Sequence, residues 1–123
     1  MKISDSELKI LEVLWLDSPL TVGQIIERIQ KNNDWHANTI KTLLSRVNKK
    51  NAVIRNKDGK RFFYSANITQ KSIINEESEG FLSKFFDGRI APLVAHFSQS
   101  KKLSKKDIEE IELILSKLKK END

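Results

Sequence analysis

The stretch Trp35-His36-Ala37-Asn38-Thr39-Ile40-Lys41-Thr42-Leu43-Leu44-Ser45-Arg46-Val47-Asn48-Lys49-Lys50 decides how this chain is read. Ile40, Leu43, Leu44 and Val47 recur three and four apart, which predicts a helix from about Ala37 with one buried stripe. Asn38, Lys41, Thr42, Ser45 and Lys49 fall on its other face, and Asn51 is placed to cap its end. The segments Ala52-Val53-Ile54-Arg55-Asn56 and Arg61-Phe62-Phe63-Tyr64-Ser65 then read as strands. Between them, Lys57-Asp58-Gly59-Lys60 holds the Asp-Gly pair that suits a tight hairpin. A helix with a polar outer face, followed at once by a cationic ribbon, is what a protein needs to place one element in a DNA major groove and the other on neighbouring phosphates.

Two helices are expected before this stretch. Ser4-x-x-Glu7 and Thr21-x-x-Gln24 are capping boxes, in which each side chain satisfies an orphan backbone N–H of the first turn. The first box opens a helix with Leu8, Leu11, Leu14 and Trp15 at helical spacing, ending at Asp17-Ser18-Pro19. The second opens a short helix with Ile25, Ile26 and Ile29 inward, stopped by Asn32-Asn33-Asp34. Three helices followed by a hairpin predict a winged helix-turn-helix over residues 1–67.

Residues 68–123 read as a different object, a helical dimerisation domain. Thr69 can cap a long helix to about Phe86, Gly88 suits its stop, Pro92 suits the first turn of a short helix through Phe97, and Ser104-x-x-Asp107 opens a last one. A set of three short amphipathic helices is marginal alone, so its apolar residues call for a partner; a symmetric homodimer is the economical one. Ile73, Ile74, Phe81, Phe85, Leu93, Phe97, Ile111 and Leu115 are the residues expected at that interface. The fold class is therefore mainly α with a small β-hairpin wing.

Charge supports the division. The chain of 123 residues carries a net charge of +5. Residues 1–67 hold twelve Lys/Arg against seven Asp/Glu, whereas residues 68–123 hold ten of each, so the whole excess lies with the helix and wing. With no cysteine, disulfides, thiol catalysis and thiolate metal sites are excluded. His36 and His96 are isolated from other ligands, and Glu76-Glu77 and Glu109-Glu110 read as solvated helix faces, so neither a metal, a cofactor nor an enzyme is expected. No long apolar run or signal-peptide core is present, and a cytoplasmic location is expected without membrane insertion.

The expected division of labour follows from side-chain chemistry. Asn38, Thr39, Lys41, Thr42 and Ser45 suit base edges: Lys donates to guanine, Asn matches adenine, and a Thr methyl packs on thymine. Phosphates fall to Arg46, Lys49 and Lys50 at the far end of the helix, and to Arg55, Lys57, Lys60 and Arg61 in the wing. Trp35 and Phe63 are assigned to packing.

The strings Glu7-x-x-x-x-Glu12-x-x-Trp15, Asp34-Trp35-x-x-x-Thr39-Ile40-x-Thr42-Leu43-x-x-Arg46-x-x-Lys49-Lys50 and Phe62-x-Tyr64-Ser65 resemble the penicillinase and methicillin-resistance repressors, the BlaI/MecI family. The resemblance spans nearly the whole chain. It implies a homodimeric repressor seated on an inverted-repeat operator, in an antibiotic-resistance or stress setting, with the C-terminal helices forming the dimer. It further implies release when a sensor protease system cuts an Asn-Phe bond in the dimerisation region; His96–Phe97 is the corresponding bond here, with His in place of Asn. The chain also departs at His36-Ala37-Asn38, where the family pattern is Ser-Pro-Lys. Two other readings remain at this level: a winged-helix regulator controlled by a small-molecule effector, and a winged-helix adaptor that docks an acidic protein.

Overall fold

The computed structural model describes residues 2–122. Its elements run α1 (Asp5–Leu16), α2 (Val22–Gln30), α3 (Ala37–Lys49), β1 (Val53–Asp58), β2 (Arg61–Ala66), α4 (Gln70–Phe86), α5 (Ile90–Gln99) and α6 (Lys105–Glu121). The chain divides into two compact units, Met1–Ile74 and Asn75–Asp123.

In the first unit both expected capping boxes form. Ser4 Oγ accepts from the Glu7 N–H at 3.1 Å while Glu7 Oε1 accepts from the Ser4 N–H at 2.8 Å, and Thr21 and Gln24 exchange the equivalent pair. Helices α1, α2 and α3 close on a core of Ile10, Leu11, Leu14, Ile25, Ile29, Ile40, Leu43, Leu44 and Val47. The stripe expected on α1 is rotated: Ile10 and Glu7 are buried, whereas Leu8 and Trp15 are only half-buried, as is Ile26 on α2. Trp15 compensates by donating its indole N–H to the Ile68 carbonyl at 2.8 Å.

Helix α3 ends in a Schellman arrangement. Asn51 takes a left-handed φ of 61°, its N–H reaches the Asn48 carbonyl, and the Ala52 N–H returns to the Val47 carbonyl at 2.9 Å. This reversal aims β1 back along the unit. β1 and β2 pair antiparallel from Val53↔Ala66 to Asp58↔Arg61. Asp58 is thus the last rung of the ladder, and the two-residue turn is Gly59-Lys60 rather than Asp58-Gly59. Gly59, at φ 66°, supplies the positive dihedral that a first central turn position requires. The ribbon's root is sewn to the loop before α2 by reciprocal bonds between Leu20 and Tyr64, at 3.0 and 2.8 Å. Phe63, expected to pack, is half-buried; period two puts its neighbour Tyr64 inward instead, 7% exposed.

Thr69 caps α4 through its hydroxyl, which accepts from the Ser72 N–H at 3.0 Å. Ile73, expected at a dimer interface, instead packs into the core of the first unit at 8% exposure, because the first turn of α4 belongs to that unit. The second unit holds the rest of α4 with α5 and α6. Asp87 and Gly88 both take positive φ to end α4, and Ser104 and Asp107 form the capping box that starts α6. None of the described residues of this unit is buried. Phe81, Phe85, Ile90, Phe97, Ile108, Ile114, Leu115 and Leu118 are all exposed, and Leu93 and Ile111 are half-buried.

Candidate nucleic-acid interface

With Ile40, Leu43, Leu44 and Val47 fixed inward, helical geometry sets where every polar residue of α3 stands. Asn38, Thr42, Ser45 and Lys49 form the ridge opposite the core. Lys41 and Asn48 lie on one flank, and Thr39 and Arg46 on the other. Asn38, Thr39, Lys41, Thr42, Ser45, Arg46 and Lys49 are all exposed, and Asn48 is half-buried. The Thr42 hydroxyl donates to the Asn38 carbonyl at 2.9 Å, which commits its proton to the helix and leaves its methyl and lone pairs outward.

The Lys41–Asn48 flank faces the wing. Val22, Lys41, Leu44, Ser45, Asn48, Arg55 and Tyr64 line a groove between α3, the start of α2 and the ribbon. Asn48 was not singled out by the sequence, yet it sits three residues after Ser45 and seven after Lys41, a spacing that could have found it.

The wing cations separate by face. Opposed residues of an antiparallel ladder share a face, so Arg55 and Lys57 stand with Phe62 and Tyr64, while Arg61 stands with Asp58 and Phe63 on the reverse side. Lys60 sits at the tip. Between Asn38 and Arg61 there are eight Lys/Arg and one acidic residue, Asp58.

Lys50, expected on phosphate, is engaged elsewhere. Its Nζ lies 2.7 Å from Glu7 Oε1 and donates also to the Lys2 carbonyl at 2.7 Å. Glu7 is 1% exposed. Burial pushes its carboxyl up, but the Lys50 hydrogen bond, the Ser4 backbone and hydroxyl contacts and the Lys50 charge together hold it below the ordinary glutamate value. The pair ties the first turn of α1 to the end of α3, so Lys50 fixes that helix rather than extending its cationic face. The sequence signal was ambiguous because a terminal lysine serves either purpose.

Among the described residues, no cluster of His, Asp and Glu could hold a metal ion, and no helix is long and apolar enough to cross a membrane. His96, in α5, lies edge-on to Phe97 and tilted against Phe86, with ring centroids 5.4 and 6.2 Å away.

Residues 3–117 match the penicillinase repressor family. The chain is 34% identical over 118 residues to the penicillinase repressor of Bacillus licheniformis, covering 96% of this chain and 92% of that protein. It is also 34% identical over 116 residues to the methicillin resistance regulatory protein MecI of Staphylococcus aureus, covering 94% of each. Among solved structures, the Bacillus licheniformis BlaI monomer in complex with the blaP half-operator superposes with a TM-score of 0.52 at 35% identity, over 58% of this chain and 87% of that one. The multidrug-efflux regulator MepR of Staphylococcus aureus matches 99% of this chain and 82% of its own, with a TM-score of 0.50 at 19% identity, a likeness of fold.

Proposed function

Because the chain belongs to the penicillinase repressor family, we propose that it is a DNA-binding transcriptional repressor, not an enzyme, working in the cytoplasm as a homodimer on an inverted-repeat operator. One observation carries the reading. The chain matches a half-operator-bound BlaI over 58% of its length, and its α3 presents a solvent-facing polar ridge beside a cationic wing, with one acidic residue across both.

In this reading α3 enters the major groove and its outermost ridge, Asn38, Thr42 and Ser45, meets base edges. Thr39, Arg46 and Lys49 hold the backbone on the flank away from the wing, and Arg55, Lys57 and Lys60 hold it on the wing side. Arg61, on the reverse face beside Asp58, contributes field more than contact. The exposed apolar residues of the second unit pair two copies, with Phe81, Phe85, Phe97 and Leu115 at the contact, Ile74 at the end of the first unit beside them in sequence, and Ile108, Ile114 and Leu118 added to it. The two reading helices then meet successive major grooves about 34–36 Å apart. Repression is occupancy of the promoter. Release by a sensor protease system acting at His96–Phe97, inside the stretch that joins α4 to α6, would separate the two half-site contacts without touching either.

Selection of bound duplexes from a random pool tests this. The expected result is a dyad-symmetric consensus whose half-sites lie one helical turn, or a multiple, apart. Enrichment of no sequence, or of an asymmetric site bound by a lone subunit, overturns it.

A further inference from the structure

Phe62 is 38% exposed near the tip of the wing. Its ring centroid lies 4.4 Å from Arg55 Cζ and 5.7 Å from Lys57 Nζ. The ladder pairs Lys57 with Phe62 and Arg55 with Tyr64, so ring and cations share the face whose root, Tyr64, is buried. That face borders the groove where Arg55 stands opposite Lys41 and Asn48. Among the described residues, neither Arg55 nor Lys57 is in an ion pair.

We infer that this groove is the seat of a single DNA phosphate, walled by α3 on one side and Arg55 on the other, and that Phe62 is the positioning residue holding Arg55 ready for it. The inference rests on the DNA-binding reading and adds a site within it. If α3 lies in the major groove and the wing on the adjoining backbone, the strand between them must cross the cleft separating the two elements. The cleft has an ammonium on one wall, a guanidinium on the other, Asn48 as a neutral donor, and no carboxylate in its lining. That donor set fits one phosphodiester. An arginine on a flexible ribbon would lose rotamer freedom on each encounter; stacked on a ring, its fork is oriented beforehand. Lys41 accordingly serves the backbone rather than the base edge expected of it. A phosphate gripped by helix and wing together also fixes how far α3 sits along the groove.

The test uses the full chain and a duplex bearing its selected consensus, with one neutral methylphosphonate placed at each backbone position in turn. In the parent protein, neutralisation at one position per half-site weakens binding through the seat. Arg55→Ala should sharply reduce the penalty at that position alone, the remainder being held by Lys41, and lower the salt slope by about one. Phe62→Ala should weaken binding about two- to fivefold and shrink the penalty at the same position, whereas Phe62→Tyr should retain both. Both side chains lie outside the core, so each variant should still fold, as a cooperative thermal melt will show. A positional profile left unchanged by Arg55→Ala, or a Phe62→Ala loss spread evenly over all positions, overturns the seat while leaving DNA binding intact. A parent protein that binds no duplex overturns the function on which the seat depends.

Discussion

A buried carboxylate meets the end of α3 at Glu7, and its chemistry sets how acid affects the molecule. Glu7 Oε1 receives both the Ser4 N–H and the Lys50 ammonium, while Oε2 has no hydrogen-bond partner among the described residues. Because the folded carboxyl sits below its ordinary value, its contribution is complete above the unfolded pKa and is lost as pH falls through the folded one. Glu7→Gln removes the charge at nearly constant volume, so it should cost roughly 2 kcal/mol at neutral pH, the order of a charged hydrogen bond. The difference between parent and variant should then narrow as the pH is lowered through the acid range. Urea unfolding at several pH values measures this, and a constant gap would show that the pair is not what titrates. The capping box at Ser4 was legible as a string, yet its second role was not. Sequence spacing shows that Glu7 can reach Ser4 but carries no information that Lys50, 43 residues on, arrives at the same oxygen.

At the scale of elements, periodicity located what it could and failed where neighbours decide. All four inward residues of α3 follow from spacing three and four, because a helix with one buried stripe has one solution. On α1 the apolar residues are dense enough for two overlapping stripes, and packing selected the one containing Ile10. The hairpin was evident but its turn was one residue late, since Asp-Gly is favourable both as a turn and as a last rung followed by glycine. In the candidate site, α3's polar face was legible, whereas the split of the wing cations onto two faces depended on that register. Helix α5 carries its own prediction. The His96–Phe97 bond lies inside it, and the His96 carbonyl accepts from the Ser100 N–H at 3.1 Å. A protease must open this turn before it can bind the bond in extended form, so cutting should follow the opening equilibrium. Thermolysin cuts before large apolar residues and can probe that bond without a sensor. Ala95→Gly, which costs a helix interior about 1 kcal/mol, should raise the initial rate of cleavage there about fivefold. Mass spectrometry of the fragments reads it; equal rates would show that helix opening is not limiting.

For the whole molecule, the question is how a modest positive charge serves the operator binding proposed above. The excess charge belongs to the winged half, so a single subunit offers only a handful of phosphate contacts, and its binding should be weak and salt-sensitive. In the proposed dimer the second half-site contact becomes intramolecular, which raises affinity by about 10²–10⁴ without any new contact to DNA. The exposed residues of α6 are where that joining can be undone cleanly. Leu115 is 51% exposed and Leu118 48% exposed, so Leu115→Asp with Leu118→Asp places two charges on the proposed contact without entering the core of the first unit. The variant should sediment as a monomer and keep the melting of its winged half. It should bind a single half-site as the parent's winged half does and lose about 10²–10⁴ in affinity for the full operator. The salt response separates avidity from a damaged reading surface. A dimer neutralising about 6–10 phosphates loses about 10³–10⁵ in affinity between 50 and 200 mM salt, and a monomer engaging half as many should show half the logarithmic slope. A variant that becomes monomeric yet keeps both the affinity and the slope of the parent would mean that one winged helix suffices, and that the apolar helices of the second unit serve something other than pairing on DNA.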